Sequence, residues 1–112
     1  MAKTVVVELD GQLAMAVLPA DQKIIPQDLR DVTGSDTVEF APELDFQGEF
    51  PDCEVGAMPP FGNLYNMEVY IAEALTQNAE IAFNAGSHSE IIKMFYDDFE
   101  RLVHPRVSAF TT

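Results

Sequence analysis

The chain is poor in cysteine and in positive charge. Cys53 is its one cysteine in 112 residues, which excludes an internal disulfide and a zinc site built on several thiolates. A reducing cytoplasm is the expected compartment. Only 6 lysines and arginines stand against 19 acids, for a net charge of −13. Non-specific nucleic-acid binding needs Lys and Arg to neutralise phosphates, and adsorption to anionic membranes needs the same, so this balance argues against both. It favours solubility. No apolar run approaches the ~18 residues of a membrane span. The start, where Val5, Val6 and Val7 run into Glu8 and Asp10, is too short and too acidic for a signal peptide. Repeats and low-complexity tracts are missing too, and the acids are spread along the chain rather than gathered in a tail, so disorder is not implied.

What remains is an ordinary globular composition, 47% hydrophobic and 22% charged, at a length that suits one domain. Residues 1–105 read as that domain and 106–112 as a flexible tail. The β-branched segment 4–9, the pair Asp10-Gly11 and the apolar segment 13–18 predict a tight hairpin. Pro26 and Gly34 bracket a short helix over 26–32. A strand is expected over 37–40, and a second short helix begins at 41–44, ended by Gly48 and Pro51. Further on, 68–72 alternates as a strand, 73–75 as a helical turn, 80–84 and 91–94 as two strands around a turn. Asp97 is the expected cap of a last helix over 98–103, which stops before Pro105. Hairpins and short helices in irregular alternation give a mixed α/β (α+β) fold on a largely antiparallel sheet, not a doubly wound parallel one.

The run from Cys53 to Gly62 sets Gly56 and Gly62 around Pro59 and Pro60. Glycine permits close backbone approach, and proline fixes φ while withholding its own N–H. Such a loop is stiff, and its free N–H groups can converge on an oxyanion or a carbonyl. The plain alternative is a connection between two elements. Met58 and Phe61 read as core or pocket wall. A second polar turn, Asn84, Ala85, Gly86, Ser87, His88, offers donors to a ligand, or is simply a hairpin turn. His88 has no acid at local spacing to orient it, so a triad is unsupported. His104, before Pro105 at a helix end, reads as structural. Cys53 is flanked by Asp52 and Glu54, which disfavour its thiolate. The acids Asp21, Asp28, Asp31, Glu43, Asp45 and Glu49 show no metal-loop spacing. Lys3, at the head of the first strand, is a solvated lysine or a cationic anchor for a phosphate, carboxylate or carbonyl.

Lys3 with the valine strand, the Gly56–Gly62 loop, the 83–88 turn and the closing 96–103 segment, in this order, resemble the YbaK-type aminoacyl-tRNA deacylases. That family is related to the editing domain of bacterial prolyl-tRNA synthetases. The resemblance spans nearly the whole chain. It implies a compact mixed α/β fold on a curved sheet and hydrolysis of the ester between a mischarged amino acid and the terminal ribose of tRNA, a step in translation quality control. It implies catalytic roles for Lys3 and for the Gly-x-x-x-Pro backbone from Gly56 to Pro60. Met58, Pro59, Phe61, Gly62, Asn84, Gly86, Ser87 and His88 would line the substrate pocket. Neither a metal nor an organic cofactor is implied. An aminoacyl ester is already activated, so a site without a Ser or Cys nucleophile is chemically sufficient. An apolar pocket would separate substrates by about 1–3 kcal/mol per methylene.

Relatives carry a further helix and strand before the lysine strand. Without them an unpaired sheet edge is expected, which invites a homodimer or a partner strand. With this net charge, contact with tRNA is expected to be local to the acceptor end, or made with a synthetase that delivers the substrate. The alternative function is a catalytically silent binding module of the same fold, recognising a partner protein or a small amino-acid or acyl ligand.

Overall fold

Asp10 and Gly11 dictate the first element of tertiary structure. In the computed structural model, which describes residues 1–40, 60, 67–84 and 89–112, both sit at positive φ, 50° and 85°. That is the left-handed pair which matches the twist of two antiparallel strands. They join β1 (Ala2–Leu9) to β2 (Gln12–Pro19) in a register running from Ala2 opposite Pro19 to Leu9 opposite Gln12.

Period-two alternation then sorts the side chains. Val7, Leu9, Ala14, Ala16 and Leu18 turn to one face, where they meet Leu29 of helix α1 (Pro26–Thr33) and Phe110. Val6, Met15 and Val17 turn to the other. That second face is covered by Ile81 and Phe83 of β5 (Glu80–Asn84) and by Tyr96, Phe99 and Val103 of helix α3 (Tyr96–Val103). Because both faces are covered, β2 is buried from Ala14 to Leu18 without a polar break.

The five-stranded sheet runs β3-β1-β2-β4-β7, with β3 at Val38–Phe40, β4 at Glu68–Ala72 and β7 at Arg106–Ser108. β1 is antiparallel to β2 and β3; β4 joins β2, and β7 joins β4, in parallel. A separate antiparallel pair holds β5 and β6 (Ile91–Phe95). The short helix α2 (Glu73–Thr76) follows β4 directly. The mixed α+β class, with antiparallel ladders predominating, is as the sequence predicts.

Helix signals are also met. Pro26 opens α1, and Gly34 closes it at φ 70°, its N–H donating to the Arg30 carbonyl at 2.9 Å. α3 starts earlier than expected: Phe95 is its N-cap residue and Asp97 lies inside the first turn beside Asp98. There the carboxylates face the positive helix end, which accounts for their position without a capping hydrogen bond. His104 closes α3 at φ 52°, its N–H donating to the Glu100 carbonyl.

One expectation is corrected. Residues 106–112, read as a flexible tail, include β7 and the fully buried Phe110, and Thr111 bridges Ile24. An aromatic side chain with a prepared apolar site outweighs the fraying tendency of a chain end. β2 pairs with the whole length of β1, and β3 pairs on its other side with Val7, Glu8 and Leu9; among the described residues Ala2–Val6 have no partner strand on that side. The expected helix at 41–44 lies outside the described residues.

Candidate functional site

Lys3 stands opposite Leu18 near the open end of the hairpin and is half-buried. Alternation puts it on the face that carries Val5, Leu18 and α1. There it lines a groove of about 280 Å³ with Val5, Leu18, Lys23, Ile24 and Phe40. The walls are aliphatic, an exposed aromatic ring stands at one side, and two ammonium groups are the charges. Glu8 and Glu39, paired across β1 and β3, fall on the opposite face by the same alternation. No acid belongs to the described lining.

Lys23 is held by its backbone. Its N–H donates to the Thr112 hydroxyl at 3.2 Å and its carbonyl accepts from the Thr112 N–H at 2.9 Å. The Ile25 N–H donates to the Phe110 carbonyl at 2.8 Å, and the Thr111 hydroxyl to the Gln22 side-chain carbonyl at 2.7 Å. The buried ring of Phe110 thus fixes the segment that carries Lys23.

The other bases are engaged elsewhere. Lys93 lies 3.7 Å from Glu80, Arg106 3.3 Å from Glu68, Arg101 pairs with Asp98, and Arg30 donates to Gln27. Among the described residues, Lys3 and Lys23 are in no ion pair. In a chain this acidic, two lysines that share one groove and have no ion pair among the described residues make that groove the candidate site for an anion.

Of the other residues singled out by sequence, Pro60 is described and fully buried. Asn84 ends β5, opposite Ile91, and is half-buried. β1 lies against β5, but Ile81 and Phe83 of β5 pack on the face away from Lys3. Gly56, Met58, Pro59, Phe61, Gly62, Gly86, Ser87 and His88, with Cys53, lie outside the described residues. Sequence reasoning missed Lys23 and Phe40. Phe40 is brought to the groove by the register of β3 on β1, which pairs it with Val7. Lys23 is brought there by pairing with residues near the C-terminal end. Neither signal is local. Among the described residues no group of three or more His, Cys, Asp or Glu is placed to hold a metal. No helix among them is long and apolar enough to cross a membrane.

A family model for the aminoacyl-tRNA editing domain matches residues 1–102. A search of curated proteins finds no match. Among solved structures, the fold is similar to that of a candidate trans-editing enzyme for prolyl-tRNA synthetase, with TM-score 0.87 and 14% identity over 99% of this chain and 69% of that one. It is also similar to a protein from computational epitope backbone grafting on scaffold proteins, with TM-score 0.85 and 13% identity over 99% and 70%. A hypothetical protein has TM-score 0.82 and 16% identity over 100% and 74%. At these identities the structural likeness is one of fold.

Proposed function

The chain belongs to the aminoacyl-tRNA editing-domain family, and on that premise we propose that it hydrolyses the ester linking a mischarged amino acid to the terminal ribose of tRNA. A water oxygen adds to the ester carbonyl and loses its proton to solvent. The tetrahedral oxyanion collapses, the bond to the ribose oxygen breaks, and that oxygen takes up a proton. The free amino acid and the uncharged tRNA leave. No nucleophilic side chain enters this scheme. The gain comes from holding ester and water together and from stabilising the negative charge that develops on the carbonyl oxygen.

In this reading the backbone N–H groups between Gly56 and Pro60 meet that oxygen, and Lys3 anchors the substrate. Met58, Pro59, Phe61 and Gly62, with Asn84, Gly86, Ser87 and His88, line the amino-acid pocket. The observation that carries the reading is the groove at Lys3: a half-buried lysine on an apolar wall, in no ion pair among the described residues, where three of the other bases are paired. The buried Pro60 adds a fixed point at the end of the glycine-proline loop. The proposed partner is the tRNA acceptor end, met locally, with a synthetase supplying the charged tRNA in the cytoplasm.

Gly56→Ala is expected to abolish deacylation without unfolding the protein, because the change leaves the described core clusters intact. Lys3→Ala is expected to lower kcat/KM about tenfold or more, the usual cost of losing a charged hydrogen-bond donor. Steady-state hydrolysis of mischarged aminoacyl-tRNA measures both. Full activity in Gly56→Ala would remove the loop from the mechanism, and unchanged kinetics in Lys3→Ala would remove the lysine.

A further inference from the structure

The groove is larger than the role given to Lys3 requires, and two of its features lie outside every motif of the sequence. Lys23 supplies a second ammonium, on a segment clamped by Phe110 and Thr112. Phe40, which lines the groove beside the two lysines, is 54% exposed. Cations beside an exposed ring are what unpaired nucleic acid needs: phosphate oxygens meet the charge and a base lies on the aromatic face. A bare carboxylate or phosphate would use the lysines and leave the ring unexplained.

We infer that Lys23 and Phe40 extend the Lys3 groove into a subsite for the unpaired 3′ end of an RNA, with a phosphodiester between the two lysines and a base stacked on Phe40. The identity of the polyanion as RNA rests on the deacylase reading above; the arrangement of cations and ring does not. The sign of the whole molecule explains why the subsite is needed. Net charge −13 repels a polyanion at long range, so affinity must come from a short patch, and the described lining of this groove holds no acid. Alternation of β1 and β3 creates that patch by sending Glu8 and Glu39 to the other face. Lys23 is then a positioning residue for the ester rather than a catalytic one.

The test is binding of a fluorescein-labelled single-stranded RNA hexanucleotide ending in CCA, followed by anisotropy over a range of salt. Wild type is expected to bind, with affinity falling as salt rises. Lys23→Gln is expected to lose about tenfold and to flatten the log–log salt slope by about 0.7, the loss of one phosphate contact on a single strand. Phe40→Ala is expected to lose about tenfold with the slope unchanged. Lys93→Gln makes the same charge change at a distant ion pair and is expected to match wild type. Equal effects of Lys23→Gln and Lys93→Gln would overturn the subsite, as would no binding by wild type. Phe40→Ala binding like wild type, with inorganic phosphate displacing the RNA as well as AMP does, would reduce it to a phosphate site and overturn the nucleotide assignment. The deacylase reading is scored separately. RNA binding with these variant effects, but no hydrolysis of any aminoacyl-tRNA, would leave the subsite and remove the enzyme. Hydrolysis that depends on Gly56 but is indifferent to Lys23 and Phe40 would do the reverse.

Discussion

Asp10 does two things at once, and only one of them is visible in the sequence. Its pairing with Gly11 announces a hairpin. Its carboxylate also accepts from the Asp36 N–H at 2.9 Å, the Thr37 N–H at 2.9 Å and the Thr37 hydroxyl at 3.2 Å. These bonds lock the entry to β3 against the turn. They span a distance along the chain that no local pattern encodes, and they help hold β3, with Phe40, at the groove. Asp10→Ala is expected to cost about 1 kcal/mol, since the site is exposed and water replaces part of what is lost. Urea unfolding with an unchanged m-value would show it. Tyr96 makes a second case. Burial pushes its hydroxyl above the ordinary tyrosine value, and the Glu100 carboxylate adds to the effect. The folded state therefore holds the phenolic proton more tightly than the unfolded chain does. Stability is complete below the unfolded tyrosine range, near ~10, and falls as pH rises through the folded value. Tyr96→Phe is expected to remove that alkaline loss. At neutral pH it should change stability little, because the phenol is protonated there in both the folded and the unfolded chain. Thermal unfolding across the alkaline range decides it; a loss that persists in the phenylalanine variant would assign the effect elsewhere.

At the scale of elements, legibility follows length and local punctuation. The hairpin and α1 were readable because Asp10-Gly11, Pro26 and Gly34 each force a backbone conformation where they stand. β4, β5 and β6 were readable because five residues suffice for alternation. β7 has three residues, and its parallel partner β4 lies far back in the chain, so nothing around Arg106 signals a strand. Phe110 sits apart from any periodic run, and only the finished sheet shows the apolar site with Leu29, Leu18 and Tyr70 that receives it. The end of the chain is thus a structural element, not an appendage. Phe110→Ala is expected to cost about 3–5 kcal/mol, the range for deleting a fully buried aromatic side chain. Denaturant unfolding would report the loss; a change below ~1 kcal/mol would mean that the segment is only loosely docked. Of the proposed site, Lys3 was marked by its place in an ordered set of motifs. Lys23 and Phe40 could not be, because long-range register and the docking of Phe110 bring them to the groove.

For the whole molecule the governing quantity is charge. The family match and the fold place the chain among editing domains, yet its surface repels the substrate class of that family. The account reconciles these by separating global from local charge: acids spread along the chain, three of the six bases in ion pairs, and two lysines in an apolar groove with no ion pair among the described residues. Such a protein should not coat RNA. It should act on an ester presented at an exposed end. The most direct measurement is hydrolysis of a panel of mischarged aminoacyl-tRNAs, with alanine and cysteine on tRNA(Pro) included, by the wild-type chain and by Gly56→Ala. The account predicts turnover of at least one substrate by wild type and its loss in the variant with the melting temperature retained. No turnover of any substrate by a folded wild-type protein, or equal turnover in both, would contradict it.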